Sequence, residues 1–162
     1  QKGHGYGSAL LESCIDDARR QGKSGVCMLG AEKQKAWLSD QNFARRFGFE
    51  TVNATPDGYE LLALSLDGTK PRFAPSVTQR IDEKGLVVYY DMQCPFIPAR
   101  VAVLQKYCAE QEIPARFVEV DSLAAAKSLP CVFNNWAVFY GGVFQTVNQL
   151  DPAALERILK RK

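Results

Sequence analysis

The chain has a single histidine, two methionines and no two cysteines at Cys-x-x-Cys spacing. Each scarcity removes a class of protein. A structural zinc site takes four nitrogen or sulfur ligands at recognisable spacings. With His4 alone and cysteines at 14, 27, 94, 108 and 131, no such set is spelled out and no metal is expected. The odd cysteine count in a chain of 162 residues also argues against a disulfide framework and for a reducing, cytoplasmic setting. No apolar run approaches the roughly eighteen residues of a membrane span. Charge of one sign is missing too: the net charge is +2, and residues 1–66 carry eight basic and eight acidic side chains. A nucleic-acid binder concentrates basic residues on one face, whereas only Lys160-Arg161-Lys162 cluster here, as the solvated end of a helix. There is no initiator methionine and no charged-then-apolar leader. The chain opens directly on a glycine-rich loop, so an upstream segment is expected.

What is present is an ordinary mixed α/β (α+β) composition, 46% hydrophobic and 23% charged. Gly3-His4-Gly5-Tyr6-Gly7 leads into Leu10, Leu11, Cys14, Ile15 and Ala18, spaced as one apolar face of a helix that ends near Gly22. Val26–Leu29 reads as a buried strand. Trp37, Phe43 and Phe47 recur at helical spacing, which predicts a helix over Trp37–Phe47 capped at Ser39 or Asp40. Phe49–Val52 and Tyr59–Leu66 read as strands around the turn Thr55-Pro56-Asp57-Gly58. Residues 67–85 lose apolar periodicity and read as a linker. Beyond it the pattern is strand Leu86–Tyr90, helix Pro98–Glu112, strand Ala115–Val120 and short helix Ser122–Lys127. Strands at Val132–Tyr140 and Val143–Val147 follow, turned by Gly141-Gly142, and then a helix Pro152–Lys160 with Asp151 as its N-cap. The organisation is therefore residues 1–66, a linker at 67–85 and a second module at 86–162.

Alternating glycines that open a helix let backbone amides close on a phosphate, whose charge the helix dipole favours. Three ligand classes compete for such a loop. A nucleoside-triphosphate loop ends in Gly-Lys-Ser/Thr, which is absent. A dinucleotide fingerprint places a third glycine where Ser8 stands, although Glu32 lies at a tolerable distance beyond the next strand. The third ligand is the pyrophosphate of coenzyme A.

Lys2-Gly3-His4-Gly5-Tyr6-Gly7-Ser8-Ala9-Leu10-Leu11 resembles motif A of the GNAT acetyltransferases, Arg/Gln-x-x-Gly-x-Gly/Ala at a strand-to-helix junction. Phe43-Ala44-Arg45-Arg46-Phe47-Gly48-Phe49-Glu50 resembles that family's later helix and Gly-Phe strand, and Tyr59-Glu60-Leu61-Leu62 its closing strand. The three segments keep the family's order and distances and cover only the second half of its fold. The resemblance implies an acetyl-CoA-dependent N-acetyltransferase acting on a small-molecule or peptide amine. It also implies that Lys2, Gly3, His4, Gly5, Tyr6, Gly7 and Ser8 cradle the cofactor, Lys2 standing as a cation in the Arg/Gln slot. Two departures stand out. Ala44 occupies the slot where many members carry the tyrosine that protonates the departing thiolate, and the family's first strands and helices are absent. An upstream segment or partner chain is thus expected to complete the sheet. His4, with a side chain that titrates near neutrality, reads as a phosphate contact or an exposed residue rather than a base.

Val87-Val88-Tyr89-Tyr90-Asp91-Met92-Gln93-Cys94-Pro95-Phe96-Ile97 resembles the first strand and active-site loop of a thioredoxin fold, with Cys94 opening a helix whose dipole stabilises thiolate. Leu129-Pro130-Cys131 resembles that fold's loop, in which a cis-proline faces the cysteine, and Phe139-Tyr140-Gly141-Gly142-Val143-Phe144 its last hairpin. Ile97 stands where dithiol enzymes have their second cysteine. Cys94 therefore reads either as a functional thiol or as a packing residue, with Cys131 as a possible resolving partner. Cys14, Cys27 and Cys108 read as core. An acetyltransferase half followed by a Cys-Pro-Phe module is similar to the YoaP-like acetyltransferases. The alternative to acetyl transfer is a thiol-binding or thiol-redox module carried on a GNAT-like scaffold.

Overall fold

A computed structural model describes residues 3–160. They form two compact units, the first ending at Phe73 and the second beginning at Ala74. Lys2, Arg161 and Lys162 lie outside the described residues.

The first unit runs α1 (Tyr6–Arg20), β1 (Gly25–Ala31), α2 (Gln41–Arg46), β2 (Glu50–Ala54) and β3 (Tyr59–Ser65). Its sheet has the order β1-β3-β2 and both pairs are antiparallel. The β1–β3 register is unbroken from Gly25 opposite Ser65 to Ala31 opposite Tyr59, while a bulge interrupts β2 between Thr51 and Asn53. The β2–β3 turn closes as the Gly58 amide donates to the Thr55 carbonyl at 3.0 Å, with Gly58 at φ 84°. Side chains alternate along the strands, so Val26, Met28, Leu62 and Leu64 share the face that packs with Leu11, Ile15, Ala44, Phe47 and Phe49. Arg45 ties α2 to the sheet through Thr51 Oγ1 at 2.9 Å and Glu60 at 3.3 Å. After β3 the chain turns at Asp67, whose carboxylate accepts from the Thr69 amide at 2.9 Å. Pro71 then lines a cavity with Cys27 and Ala63, and the Phe73 amide donates to Asn53 Oδ1 at 3.0 Å.

Two expectations change here. Of the apolar face read on α1, Ile15 and Ala18 are buried and Leu11 is half-buried, but Leu10 is 72% exposed and Cys14 is also exposed. α1 shares three strands with α2 and so buries only a narrow stripe, and Leu10 and Cys14 lie beyond it. Cys27, expected in the core, points to the opposite sheet face and is exposed as well. The helix read over Trp37–Phe47 is confined to α2. Trp37 stands outside it, half exposed, because Gln34 Nε2 occupies the carbonyls of Lys35, Leu38 and Ser39, and Asp40 then caps α2 from its own side chain.

The second unit runs β4 (Leu86–Tyr90), α3 (Ile97–Glu110), β5 (Ala115–Glu119), α4 (Leu123–Lys127), β6 (Trp136–Tyr140), β7 (Val143–Thr146) and α5 (Pro152–Leu159). The sheet order is β5-β4-β6-β7, with β4 parallel to β5 and the other pairs antiparallel. Strands buried on both faces read as continuous apolar runs, which accounts for Leu86-Val87-Val88 and Ala137-Val138-Phe139. One face packs Leu86, Val88, Trp136 and Val138 against Ile97, Val101, Leu104, Cys108, Leu155 and Ile158 of α3 and α5. On the other, Phe139 meets Tyr89 and Phe144 edge-on at 5.8 and 5.7 Å, and Phe133 stacks on Phe144 at 5.6 Å. The stretch 74–85, within the segment read as linker, joins this sheet. The Phe144 amide donates to Gln79, the Gln79 amide to Pro130, and the Ile81 amide to Gly142. A side chain at Gly142 would meet the Ile81 carbonyl and the Lys84 ammonium, both 2.8 Å from its Cβ position.

Pro130 is trans, since no cis peptide bond occurs among the described residues; this corrects the cis bond that the thioredoxin resemblance implied. Trans is the lower-energy isomer even before proline, and the Gln79 amide engages the Pro130 carbonyl in that form at 2.8 Å. β6 begins at Trp136 rather than Val132, and the Asp91 amide donates to Asn135 at 3.2 Å, one pair beyond the ladder's last, Tyr90 opposite Trp136.

Leu62 is fully buried at the centre of the first core. Leu62→Ala is expected to cost about 2–5 kcal/mol, read as faster amide exchange along β1 and β3. In the second unit the Tyr107 hydroxyl donates to Glu156 Oε1 at 2.6 Å, joining α3 to α5. That bond, helped by Lys160, holds the Glu156 carboxyl below its ordinary 4.5, and it raises the phenol above its ordinary 10.0. A depressed carboxyl stabilises above its unfolded value and loses this as pH falls through the folded one; a raised phenol stabilises below its unfolded value and loses this as pH climbs. Tyr107→Phe should therefore lower the urea midpoint between pH 4.5 and 10.0 and leave it nearly unchanged at about pH 2.

Candidate functional site

Five helices begin in two different ways. Asp40, Ser122 and Asp151 cap α2, α4 and α5, accepting from the amides of Asn42, Ala125 and Ala154 at 2.9, 3.2 and 2.7 Å. The start of α1, at Gly5, and of α3, at Phe96, has no capping side chain. These are the two helix starts that the sequence patterns single out.

At α1 the chain enters through Gly3 and Gly5, at φ 90° and 74°, in the left-handed region that a side chain disfavours. No atom comes within 4 Å of a Cβ built on either, so the ground above the backbone is open. The first intrahelical bond is the Ala9 amide to Gly5, which leaves the amides of Tyr6, Gly7 and Ser8 for the helix's first turn. His4 stacks on Tyr6 at 5.7 Å, and both rings are exposed. Gly7 faces Phe43, whose ring lies 3.6 Å from a Cβ built there, so this side of the helix is fixed against α2. Two left-handed glycines, an open surface and an uncapped helix of fifteen residues fit an anionic diphosphate in donor chemistry and in space. Gly3, His4, Gly5, Tyr6, Gly7 and Ser8 are contiguous here; Lys2, the expected cation, lies outside the described residues. Ala44, in the tyrosine slot, is 1% exposed among Ile15, Phe49 and Leu62. A phenol there would overpack the core, so a proton donor for a departing thiolate does not come from this position.

Cys94 lies two residues before the Phe96 cap of α3, half-buried against the α3–α5 core. The Ile97 amide donates to its carbonyl at 3.0 Å, and Gln149 Nε2 points at its sulfur from 3.7 Å. Phe96 is 74% exposed and Met92 51%, so the loop is apolar where it meets solvent. Cys131 is buried, with its thiol donating to the Phe133 carbonyl at 3.3 Å. Cys108 is buried among α3 contacts, as its helical spacing predicts, and desolvation raises its thiol pKa.

Two features escaped the sequence reading. Gln41 is buried with its amide on the Ala31 carbonyl at 2.6 Å, beside a polar cavity lined also by Glu32, Arg45 and Glu60. Asp91 is 96% buried by its 4% exposure, and only its place at the end of an apolar strand run hinted at it.

Residues 114–157 match the family model described as YoaP-like. Along nearly its whole length the chain is similar to the uncharacterized N-acetyltransferase YoaP of Bacillus subtilis (strain 168). The two are 28% identical over 161 residues, 98% of this chain and 64% of the relative. The chain thus spans under two thirds of the curated relative it matches. No solved structure matches it. No helix among the described residues is long and apolar enough to cross a membrane.

The cysteines should sort by alkylation of the native chain, read by mass spectrometry. Cys14 should react readily at neutral pH. Cys27 is exposed yet wedged beside Ala63 and Pro71, and desolvation raises its thiol pKa; its rate should climb only at higher pH than a free thiol's. Cys108 and Cys131 should react only on unfolding.

Proposed function

We propose that the chain carries the acetyl-CoA-binding half of a GNAT-type N-acetyltransferase, joined to a thioredoxin-like domain. The observation that carries the reading is the start of α1: an uncapped helix entered through two left-handed glycines, inside the one segment that resembles the family's cofactor motif. The β1-β3-β2 order, with α1 and α2 on one face, supports it, as does similarity to a protein named an N-acetyltransferase. The amides of Tyr6, Gly7 and Ser8 hold the pyrophosphate, and Gly3 and Gly5 let the backbone approach it. Acetyl-CoA, when bound, supplies an acyl thioester that an amine attacks. Holding the diphosphate at a rigid helix fixes the thioester's reach, which is how binding energy is turned into positioning. β1 has no partner on its second edge among the described residues, and Tyr6 and Leu10 on α1 are 61% and 72% exposed. An upstream segment or a partner chain that pairs with this edge and covers these side chains completes the site and supplies the acceptor's contacts.

In the second unit, a β-α-β start with parallel strands and a closing β-β-α, in the order β5-β4-β6-β7, supports the thioredoxin-like reading. Gln149 aimed at Cys94 Sγ favours a second role there, a reactive thiol at the start of α3. An alkylation rate for Cys94 that follows an ordinary thiol's pH dependence would remove that role.

Calorimetric titration with acetyl-CoA tests the first reading. Saturable binding is expected, weakened about tenfold or more by Gly5→Val, whose side chain is strained at that φ and stands over the amides. A folded chain that binds acetyl-CoA no differently after this substitution places the cofactor elsewhere. Failure of the chain extended upstream, both to bind acetyl-CoA and to acetylate any amine in a broad panel, sinks the assignment.

A further inference from the structure

The second unit holds a carboxylate that its own fold does not satisfy. Asp91 follows β4 directly; its amide donates to Asn135, and its Oδ1 accepts from the Gln93 amide at 3.0 Å. Its Oδ2 is buried and has no hydrogen-bond partner, although an ionised carboxylate accepts at both oxygens. Buried polar atoms are almost always paired, so one left over calls for a partner from outside the chain, a water, an ion or a ligand.

Asp91 also lines a cavity of about 340 Å³. The topology makes this cavity. β4 and β5 are parallel, so their carboxyl ends lie at one edge of the sheet, where the Val120 amide donates to Tyr90 at 2.7 Å. β6 runs antiparallel to β4, which brings Asn134 to the same edge. The polar lining is Asp91, Asp121, Gln93 and Asn134, joined by Ser122, whose hydroxyl is committed to capping α4; Val120 and Leu123 supply an apolar wall.

The lining selects the ligand class. No lysine, arginine or histidine borders the cavity, and two carboxylates do, so anions are excluded. A divalent cation is a poor fit: calcium takes six to eight oxygens, and no group of three or more His, Cys, Asp or Glu among the described residues could hold a metal. A primary ammonium brings three donors and no acceptor, and an alkyl stem behind it matches Val120 and Leu123. Leu123 is 71% exposed and Gln93 is exposed, so two of the lining side chains stand in solvent and are free to rearrange around a ligand. We infer that this cavity binds a primary alkylammonium group, with the charge on Asp91 and Asp121 and the stem against Val120 and Leu123. The site lies wholly in the second unit and does not depend on acetyl transfer.

The test uses the full chain, labelled for amide NMR and titrated with n-butylammonium, with n-butanol and butyrate as controls. Saturable shifts centred on Asp91, Gln93, Asp121 and Asn134 are expected from the amine and from neither control. Asp91→Asn keeps the side-chain shape and the bond from the Gln93 amide, and should weaken binding by about tenfold or more. Asp121→Asn removes the second, exposed charge without touching the core and should weaken it by a smaller factor. A diamine and Nα-acetyl-lysine amide, titrated in parallel, separate free amines from lysine side chains as the source. Binding by n-butanol equal to that of the amine overturns the inference, as does binding unchanged in both variants. Shifts confined to residues away from this edge, or no saturable response to any amine, do the same and leave Oδ2 to a buried water.

Discussion

A helix cannot satisfy its own first turn of amides, and much of this chain's arrangement follows from how each helix meets that constraint. Where Asp40, Ser122 or Asp151 caps the turn, the helix is short and serves packing. Where α1 and α3 begin without a capping side chain, they are the two longest helices. At α1 the first-turn amides stay open beneath the dipole, whereas at α3 the Ile97 amide is taken by the Cys94 carbonyl and Pro98 has none to give. In each case the preceding residues keep the approach open: glycines before α1, and a loop before α3 that ends in Cys94-Pro95. Leaving donors unpaired costs little at an exposed surface, where water serves them, and it keeps them available to an anion.

The two units bury themselves differently, and this sets what each can do. In the second unit, β4 and β6 are covered by α3 and α5 on one side and carry an aromatic stack of Tyr89, Phe139, Phe144 and Phe133 on the other. Such a sheet is rigid, and rigidity fixes the loops at the carboxyl ends of its strands. Among the described residues, the first unit packs one face around Leu62 and leaves part of α1 and one edge of β1 uncovered. Small cores gain little stability per residue, so added partners have more to contribute there.

Sequence pattern located most elements because the strongest signals were local. Leu86–Tyr90 is bounded as its composition suggests, between Gly85 and Asp91, and the Asp151-Pro152 start of α5 lies where capping chemistry puts it. Failures came where a neighbour decides. Periodicity marks Leu10 and Cys14 as apolar, but it cannot say how many strands will lie opposite them. The aromatics at 37, 43 and 47 keep helical spacing, yet the Gln34 side chain holds the carbonyls before α2. The glycine loop was legible as a loop, because left-handed backbone is written in glycine; its openness was not. Asp91 was the least legible: its burial arises only when the ends of β4 and β5 and the loop before β6 converge.

The edge of β1 that is unpaired among the described residues has a further consequence in solution. Gly25–Ala31 contains no charge and no proline, two of the devices by which natural sheets blunt an open edge. Strand Gly-Val-Cys-Met-Leu-Gly-Ala therefore offers one ladder of amides and carbonyls to any extended chain, including another copy of itself. Self-association through this edge is bimolecular in the chain and therefore grows with concentration.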